Sequence, residues 1–213
     1  EVCNVTREKG ELPQSMREVT IIPLHKTKVH GVRPEETRPP SMLNADFKIL
    51  RKLLVTRLLP YMGTLVHEDQ NGLIPNRNTS LNLHRLYSVL FALPDEKLHT
   101  SGLISIDLEK AFDTVNWVYL LEVLQKMGMD KGWVSWVRLL YTNPTARVRM
   151  GQTVSTPYGV HRGIRQGCPL SPLLFALARE PLAELCREKL RGRGVMVARV
   201  EHIISLYADD ILL

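Results

Sequence analysis

The stretch Leu206-Tyr207-Ala208-Asp209-Asp210-Ile211-Leu212-Leu213 sets two adjacent carboxylates between two apolar, β-prone runs. Folded as a hairpin, it places the acids at the tight turn. A solvated turn with no further role would look the same, since Asp is a favoured turn residue. A second strand end shifts that balance. In Ser105-Ile106-Asp107-Leu108-Glu109-Lys110-Ala111-Phe112-Asp113 a carboxylate again follows a short apolar strand, read over residues 102–106. Asp107 or Asp113 could instead cap the helix behind it. Two such ends side by side in one sheet make a compact negative site, tolerable only with a cation between the acids. Oxygen ligands without His or Cys favour Mg²⁺, with Mn²⁺ as a substitute. Two ions ~3.5–4 Å apart clamp the attacking and leaving oxygens of an in-line phosphoryl displacement. Neighbouring strand side chains point to opposite faces. Asp107 and Asp209 are therefore expected to be the main ligands, with Asp210 assisting.

The rest of the chain supplies a setting for such a site. Its 213 residues are 44% hydrophobic and 23% charged, enough for a real core in one large domain or two small lobes. The longest uncharged apolar run, Leu173 to Ala178, stops at Arg179, far short of the ~20 residues of a membrane span. No secretory segment is present in the sequence. Twenty-eight Lys and Arg against 22 acidic residues leave +6, which permits a polyanionic partner. Cys3, Cys168 and Cys186 lack zinc or disulfide spacing and suit a reducing, intracellular setting.

Prolines at 13, 23, 34, 39 and 40 make residues 11–40 extended and turn-punctuated, around the β-prone Val19-Thr20-Ile21-Ile22. Helices are predicted over 44–59 and 80–93, after Asn116, after Asp130 and after Ser171-Pro172, the last interrupted at Pro181. Strands are predicted over 145–150, 153–158, 195–200 and 202–206. Helices and strands interleave throughout, the mark of a mixed α and β class. The block His161-Arg162-Gly163-Ile164-Arg165-Gln166-Gly167-Cys168-Pro169-Leu170-Ser171-Pro172 has glycines that admit a ligand close to the backbone, and a Gln able to bond a base or sugar edge. It also reads as an ordinary loop before a capped helix.

In order and spacing, Ser105 to Asp113, Arg165 to Phe175 and Tyr207-Ala208-Asp209-Asp210 resemble the three core motifs of reverse transcriptases, closest to those of non-LTR (LINE-type) retrotransposons. Gly10 to Ser15, Arg38 to Asn44, Asp69 to Arg77 and Leu140 to Pro144 resemble that group's other motifs. The resemblance implies an α+β fold, the fingers and partial palm of a right-hand polymerase: an antiparallel sheet backed by helices, with the thumb absent. Fingers would occupy 1–100 and the palm 101–213, incomplete at its C-terminal end, with part of 130–165 packing on the fingers.

It further implies that Asp107, Asp209 and Asp210 are catalytic, metal-binding acids. Phe112 would be the gate that excludes a ribose 2′-hydroxyl, although a lone Phe is ordinarily a core aromatic. Gln166 and Gly167 would lie against the nucleotide and template. Arg38, with Lys26 or Lys28, would hold the triphosphate, unless these are solvated loop charges. Arg77, Arg147, Arg149 and Arg165 would contact nucleic acid, or in part be the wet face of a strand. Partners would be an RNA template, a DNA primer, dNTPs and the other domains of a parent polyprotein, with no membrane. Such a protein would act in a cytoplasmic ribonucleoprotein and then the nucleus. The chain starts at Glu1 and ends three residues past the Asp-Asp pair, so both ends read as cut from something longer, and this piece alone is expected to be weak or inactive. Two rival readings are a non-catalytic RNA-binding remnant and a Mg²⁺-dependent phosphodiesterase.

Overall fold

Apolar side chains recurring every three or four residues produce the helix Ala45–Leu58, whose Phe47, Leu50, Leu54 and Leu58 are buried. The structure is a computed structural model that describes residues 2–25, 37–98 and 101–213. Helices Thr79–Ala92, Trp117–Lys126 and Lys131–Leu140 also form where the periodicity places them. Asn116 Oδ1 accepts the N–H groups of Val118 and Tyr119, and Asp130 Oδ1 that of Trp133, so these two expected side-chain caps are made, whereas the Ser171 hydroxyl makes none.

The elements form two compact units, each assembled from two stretches of chain. One holds residues 1–57 and 112–171, the other 58–111 and 172–213. The sequence reading drew a single boundary after residue 100, whereas the units interleave. Residues 130–165 share a unit with residues 1–57.

The first unit is built on a five-stranded sheet. Glu18–Ile21 pairs parallel with Thr145–Met150 and antiparallel with Ser41–Met42. Thr153–Val154 and Tyr158–Gly159 pair antiparallel with Thr145–Met150. Val19 and Ala146, partners in the parallel register, are both buried, while Thr20, Arg147 and Arg149 keep contact with solvent. Leu24–His25 and Thr37–Arg38 form a separate two-stranded ribbon.

The second unit carries a three-stranded antiparallel sheet in the order Ser205–Tyr207, Asp210–Leu212, Ser105–Asp107. Ala183 of the long helix Ser171–Lys189 packs with Ile204, Leu206 and Ile211 behind it. A small antiparallel sheet backed by helix, as expected of a palm, is therefore present.

Three local expectations are corrected. The helix Ser171–Lys189 runs through Pro181 instead of stopping there. Pro181 lacks an N–H and crowds the carbonyl four residues back, but Leu173, Leu174, Phe175, Leu177 and Ala183 are buried on both sides of it, which holds the helix together. Residues 14–17 form one helical turn in the proline-rich segment, because Pro13 caps it and its carbonyl accepts the N–H of Met16 and of Arg17. The run 195–200 is a hairpin of Val195–Val197 with Val200–His202, turning at Ala198 and Arg199 with φ of 46° and 68°.

Candidate active site

Alternation along the hairpin of the second unit decides where its acids point. Leu206 and Ile211 are register partners and turn into the core, so Tyr207 and Asp210 take the opposite face. Asp210 is in turn the direct partner of Asp107 on the neighbouring strand. Directly opposed residues of an antiparallel pair share a face with Cβ atoms ~4.5–5.5 Å apart. Both carboxylates are exposed, and among the described residues no ion pair engages them. Asp209 sits in the two-residue turn, half-buried, behind Ala208 with φ of 52°. The register makes Asp210 the cross-strand partner of Asp107, with Asp209 beside them in the turn.

The turn is braced by residues to which the sequence alone assigns no individual role. Arg179, 6% exposed, donates from Nη1 to the Ala208 carbonyl. Burial lowers its pKa, although the negative charges of Asp209 and Asp210 act in the opposite direction. Buried Gln70 accepts the Ala208 N–H at 3.2 Å and the Gly72 N–H at 2.9 Å through one oxygen. A Cβ on Gly72 would lie 2.2 Å from the Ala208 nitrogen, so the two backbones touch there. The Leu206 carbonyl takes the Asn71 N–H and the Asn82 amide, and its N–H bonds Asp69 O. Asp69 itself is clasped by Arg85, Arg187 and His67. A signal for Arg179 was present: it is the charge that ends the longest apolar run.

Arg77, expected on nucleic acid, donates instead to the carbonyls of Val66, His67 and Gln70 within this bracing loop. Arg165 is likewise turned inward. It is 9% exposed, donates to Arg17 O and stacks over Phe47 at 5.3 Å. Both cations donate to backbone carbonyls of their own unit, which leaves Arg77 half-buried and Arg165 buried.

The remaining expected residues lie in the first unit or outside the described residues. Gln166 is half-buried, and its carbonyl accepts the Ser41 N–H at 3.0 Å. Gly167, with φ of 89°, follows it, exposed. Ile164 N–H donates to Phe112 O at 2.8 Å, and Gly163 lies so close to Asp113 that a Cβ would meet its backbone at 2.8 Å. The loop carrying Gln166 is thus fastened to the segment carrying half-buried Phe112. Arg38 is exposed at the end of its ribbon. Arg147 pairs with Glu18 at 2.5 Å, and Arg149 Nε bonds Gly151 O. Lys26 and Lys28 fall outside the described residues.

Among the described residues no three His, Cys, Asp or Glu side chains cluster as a ready-made metal cage. A Mg²⁺ site does not call for one, because that ion is held by one or two carboxylates with water and substrate phosphate completing its shell. Two exposed carboxylates in register, with a third in the adjoining turn, fit that description.

This fold is shared with solved telomerases. The apo enzyme from Candida tropicalis, truncated from its C-terminal domain, superposes with a TM-score of 0.63 over 99% of this chain and 47% of that one, at 12% identity. Telomerase from the same yeast with a TWJ fragment of telomeric RNA gives 0.62 over 98% and 38%, at 11% identity. At such identities the likeness is one of fold. The profile of the reverse transcriptase (RNA-dependent DNA polymerase) family matches residues 24–213, and the chain belongs to that family. It is 33% identical over 97% of its length to the transposon TX1 uncharacterized 149 kDa protein of Xenopus laevis. It is 30% identical over 84% of its length to a retrovirus-related Pol polyprotein from the type-1 retrotransposable element R2 of Popillia japonica. The chain spans 16% of the former and 25% of the latter. The resemblance to non-LTR retrotransposon reverse transcriptases is thereby borne out. The family works with divalent metal ions. No helix among the described residues is long and apolar enough to cross a membrane.

Proposed function

We propose that the protein carrying this chain is an RNA-directed DNA polymerase of a LINE-type retrotransposon. It would add dNTPs to a DNA primer on an RNA template. The observation that carries this reading is the register that sets Asp210 against Asp107 at the exposed end of a braced hairpin. Asp107, Asp210 and Asp209 would hold two Mg²⁺ ions, with Mn²⁺ as a substitute. Such ions would supply neutralisation of the charge that develops on the phosphates during in-line displacement. The primer 3′-hydroxyl attacks the α-phosphate and pyrophosphate leaves, so the protein's contribution is positioning and charge.

Each chain residue then has a bounded task. Arg179 and Gln70 fix the turn that bears Asp209 and Asp210. Phe112 excludes a ribose 2′-hydroxyl, the group by which a protein tells RNA from DNA. Gln166 offers its amide to a base or sugar edge, with Gly167 leaving room beside it. Arg38, with Lys26 or Lys28, meets the triphosphate, a task suited to a planar guanidinium. Arg147 and Arg149 contact template phosphates. Fingers over residues 1–100 and palm over 101–213 would be a functional division that does not follow the two interleaved units, within a longer polyprotein that works in a cytoplasmic ribonucleoprotein and then the nucleus.

The test is primer extension on an RNA template with Mg²⁺, in the complete protein and its Asp107→Asn and Asp210→Asn variants. Each substitution is expected to lower the rate by at least ~10²-fold, the scale for loss of one preorganised electrostatic group. Extension at an unchanged rate in both variants removes the palm assignment.

A further inference from the structure

Arg51 is the largest side chain of the described residues to be wholly enclosed, at 0% exposure. A guanidinium buried without a counter-charge is strongly unfavourable, yet no carboxylate among the described residues pairs with it. Its surroundings make the problem worse. Arg165, a second buried cation, shares the Phe47 ring with it, at 5.3 Å against 4.1 Å for Arg51. Burial and the Arg51 charge together bring the pKa of Arg165 down to about 10. Tyr141, 5.8 Å from the Arg51 guanidinium, has its phenol pushed up to about 12 by burial and stays neutral. Arg51 Nε and Nη2 and Arg165 Nη1 have no hydrogen-bond partner among the described residues. Among the described residues the one acid-forming group in bonding reach is Cys168, whose Sγ accepts from Arg51 Nη1 at 2.6 Å and from the Leu170 N–H at 3.4 Å.

We infer that Cys168 is a buried thiolate, the counter-ion of Arg51, and that this ion pair sets the position of the Gln166–Gly167 loop. Electrostatics agree with the geometry. Burial by itself would push the thiol up, but the Arg51 charge, with the Leu170 N–H alongside, holds it below the ordinary range. The groups facing Cys168 are Arg51 from the helix Ala45–Leu58, Arg165 from the loop itself, Ser171 from the start of the helix that follows it, and Tyr141 from the end of the helix Lys131–Leu140. None of these supplies a competing negative charge.

The anchor is local to the proposed nucleotide-binding loop. Cys168 is one residue past Gly167 and two past Gln166. Its N–H bonds Arg165 O at 3.3 Å, and its carbonyl takes the Ser171 N–H at 3.3 Å. Ser41, on the other side, holds Gln166 O. The loop is therefore pinned at both ends, by a strand on one and by a charge pair on the other. Arg51 and Cys168 are positioning residues that act through Gln166.

The ionisation state and the loop effect are measured separately, because the second rests on the polymerase reading and the first does not. Thiolate absorbance at 240 nm is followed against pH in the complete protein and subtracted from that of Cys168→Ser. Should the serine variant fail to fold, Cys168→Asp is the reference. The expected result is a thiolate step that belongs to Cys168 and lies below the ~8.5 of a free cysteine. A step at or above that value overturns the assignment. In steady-state primer extension, Cys168→Ala is expected to raise the KM for dNTP by roughly tenfold or more, since it strands a buried cation. Cys168→Asp, which restores an anion, is expected to bring KM back toward wild type with kcat little changed. Equal KM values in the Ala and Asp variants defeat the positioning role. If no variant nor the wild type extends a primer while the thiolate step is present, it is the polymerase reading that fails.

Discussion

At the scale of single residues, the site depends on how closely backbones approach. Gly72 is required because any side chain there would drive a carbon into the Ala208 nitrogen, at 2.2 Å. Gly72→Ala must therefore push the bracing loop off the acid-bearing turn. It is expected to destabilise the protein by about 1–3 kcal/mol, the usual range for overpacking, and to lower primer extension through Asp209 and Asp210. Urea unfolding checks the first part; an unchanged midpoint would mean that the loop and turn do not touch in solution. Cys168 leads to a pH prediction whose sign follows from linkage. Its folded pKa is below the unfolded value, so between the two the unfolded chain binds more protons and stability rises with pH. That contribution is complete above the unfolded value of ~8.5 and is lost as pH falls through the folded one. Cys168→Ser should flatten this segment of the stability–pH curve, measured by chemical unfolding at successive pH values.

At the scale of elements, patterns with a fixed period were legible and patterns set by tertiary contact were not. The helices over 44–59 and 80–93 and the strand over 145–150 could be read from the spacing of their apolar residues, although only the first buries a full face and Thr79–Ala92 buries no residue. The Asp-Asp hairpin was legible for the same reason, with its acids between two apolar runs. Its register was not, since a one-residue shift exchanges which acid faces Asp107 and nothing in the local sequence decides it. The turn at Ala198 and Arg199 was hidden because neither residue type signals a left-handed backbone. Arg51 and Arg179 stand out only in the fold, since what makes them important is burial against a distant thiol and a distant carbonyl. Pro181 shows the same rule from the other side: local chemistry argued for a break, and burial on both flanks prevailed. Pro181 is exposed, so Pro181→Ala removes the helix penalty without leaving a cavity. The substitution is expected to stabilise by about 1–3 kcal/mol, up to the full difference between Pro and Ala in a helix interior. Thermal unfolding would show it, and a lowered midpoint would mean that the kink is needed for packing.

At the scale of the whole molecule, charge has to be weighed by where it is already used. The chain carries +6, but Arg51, Arg77, Arg165 and Arg179 are committed to internal carbonyls, rings or a thiol. Arg85 and Arg187 are likewise committed to acids. The formal excess therefore overstates what a polyanion would meet, and binding to RNA should involve only a few side chains, Arg38 and Arg149 among them, with Arg147 joining by exchanging Glu18 for a phosphate. Each phosphate neutralised releases counterions, so log affinity falls linearly with log salt, with a slope of about −0.7 per contact for single strands. For about three to four contacts, raising salt from ~50 to ~200 mM should weaken single-stranded RNA binding by roughly twentyfold to fiftyfold. Arg147→Gln with Arg149→Gln should reduce the slope by about 1.4 while leaving Arg77→Gln to act through stability instead. A salt titration by filter binding separates these cases. If the double variant keeps the wild-type slope, the strand Thr145–Met150 does not face the template and its arginines belong to the fold alone.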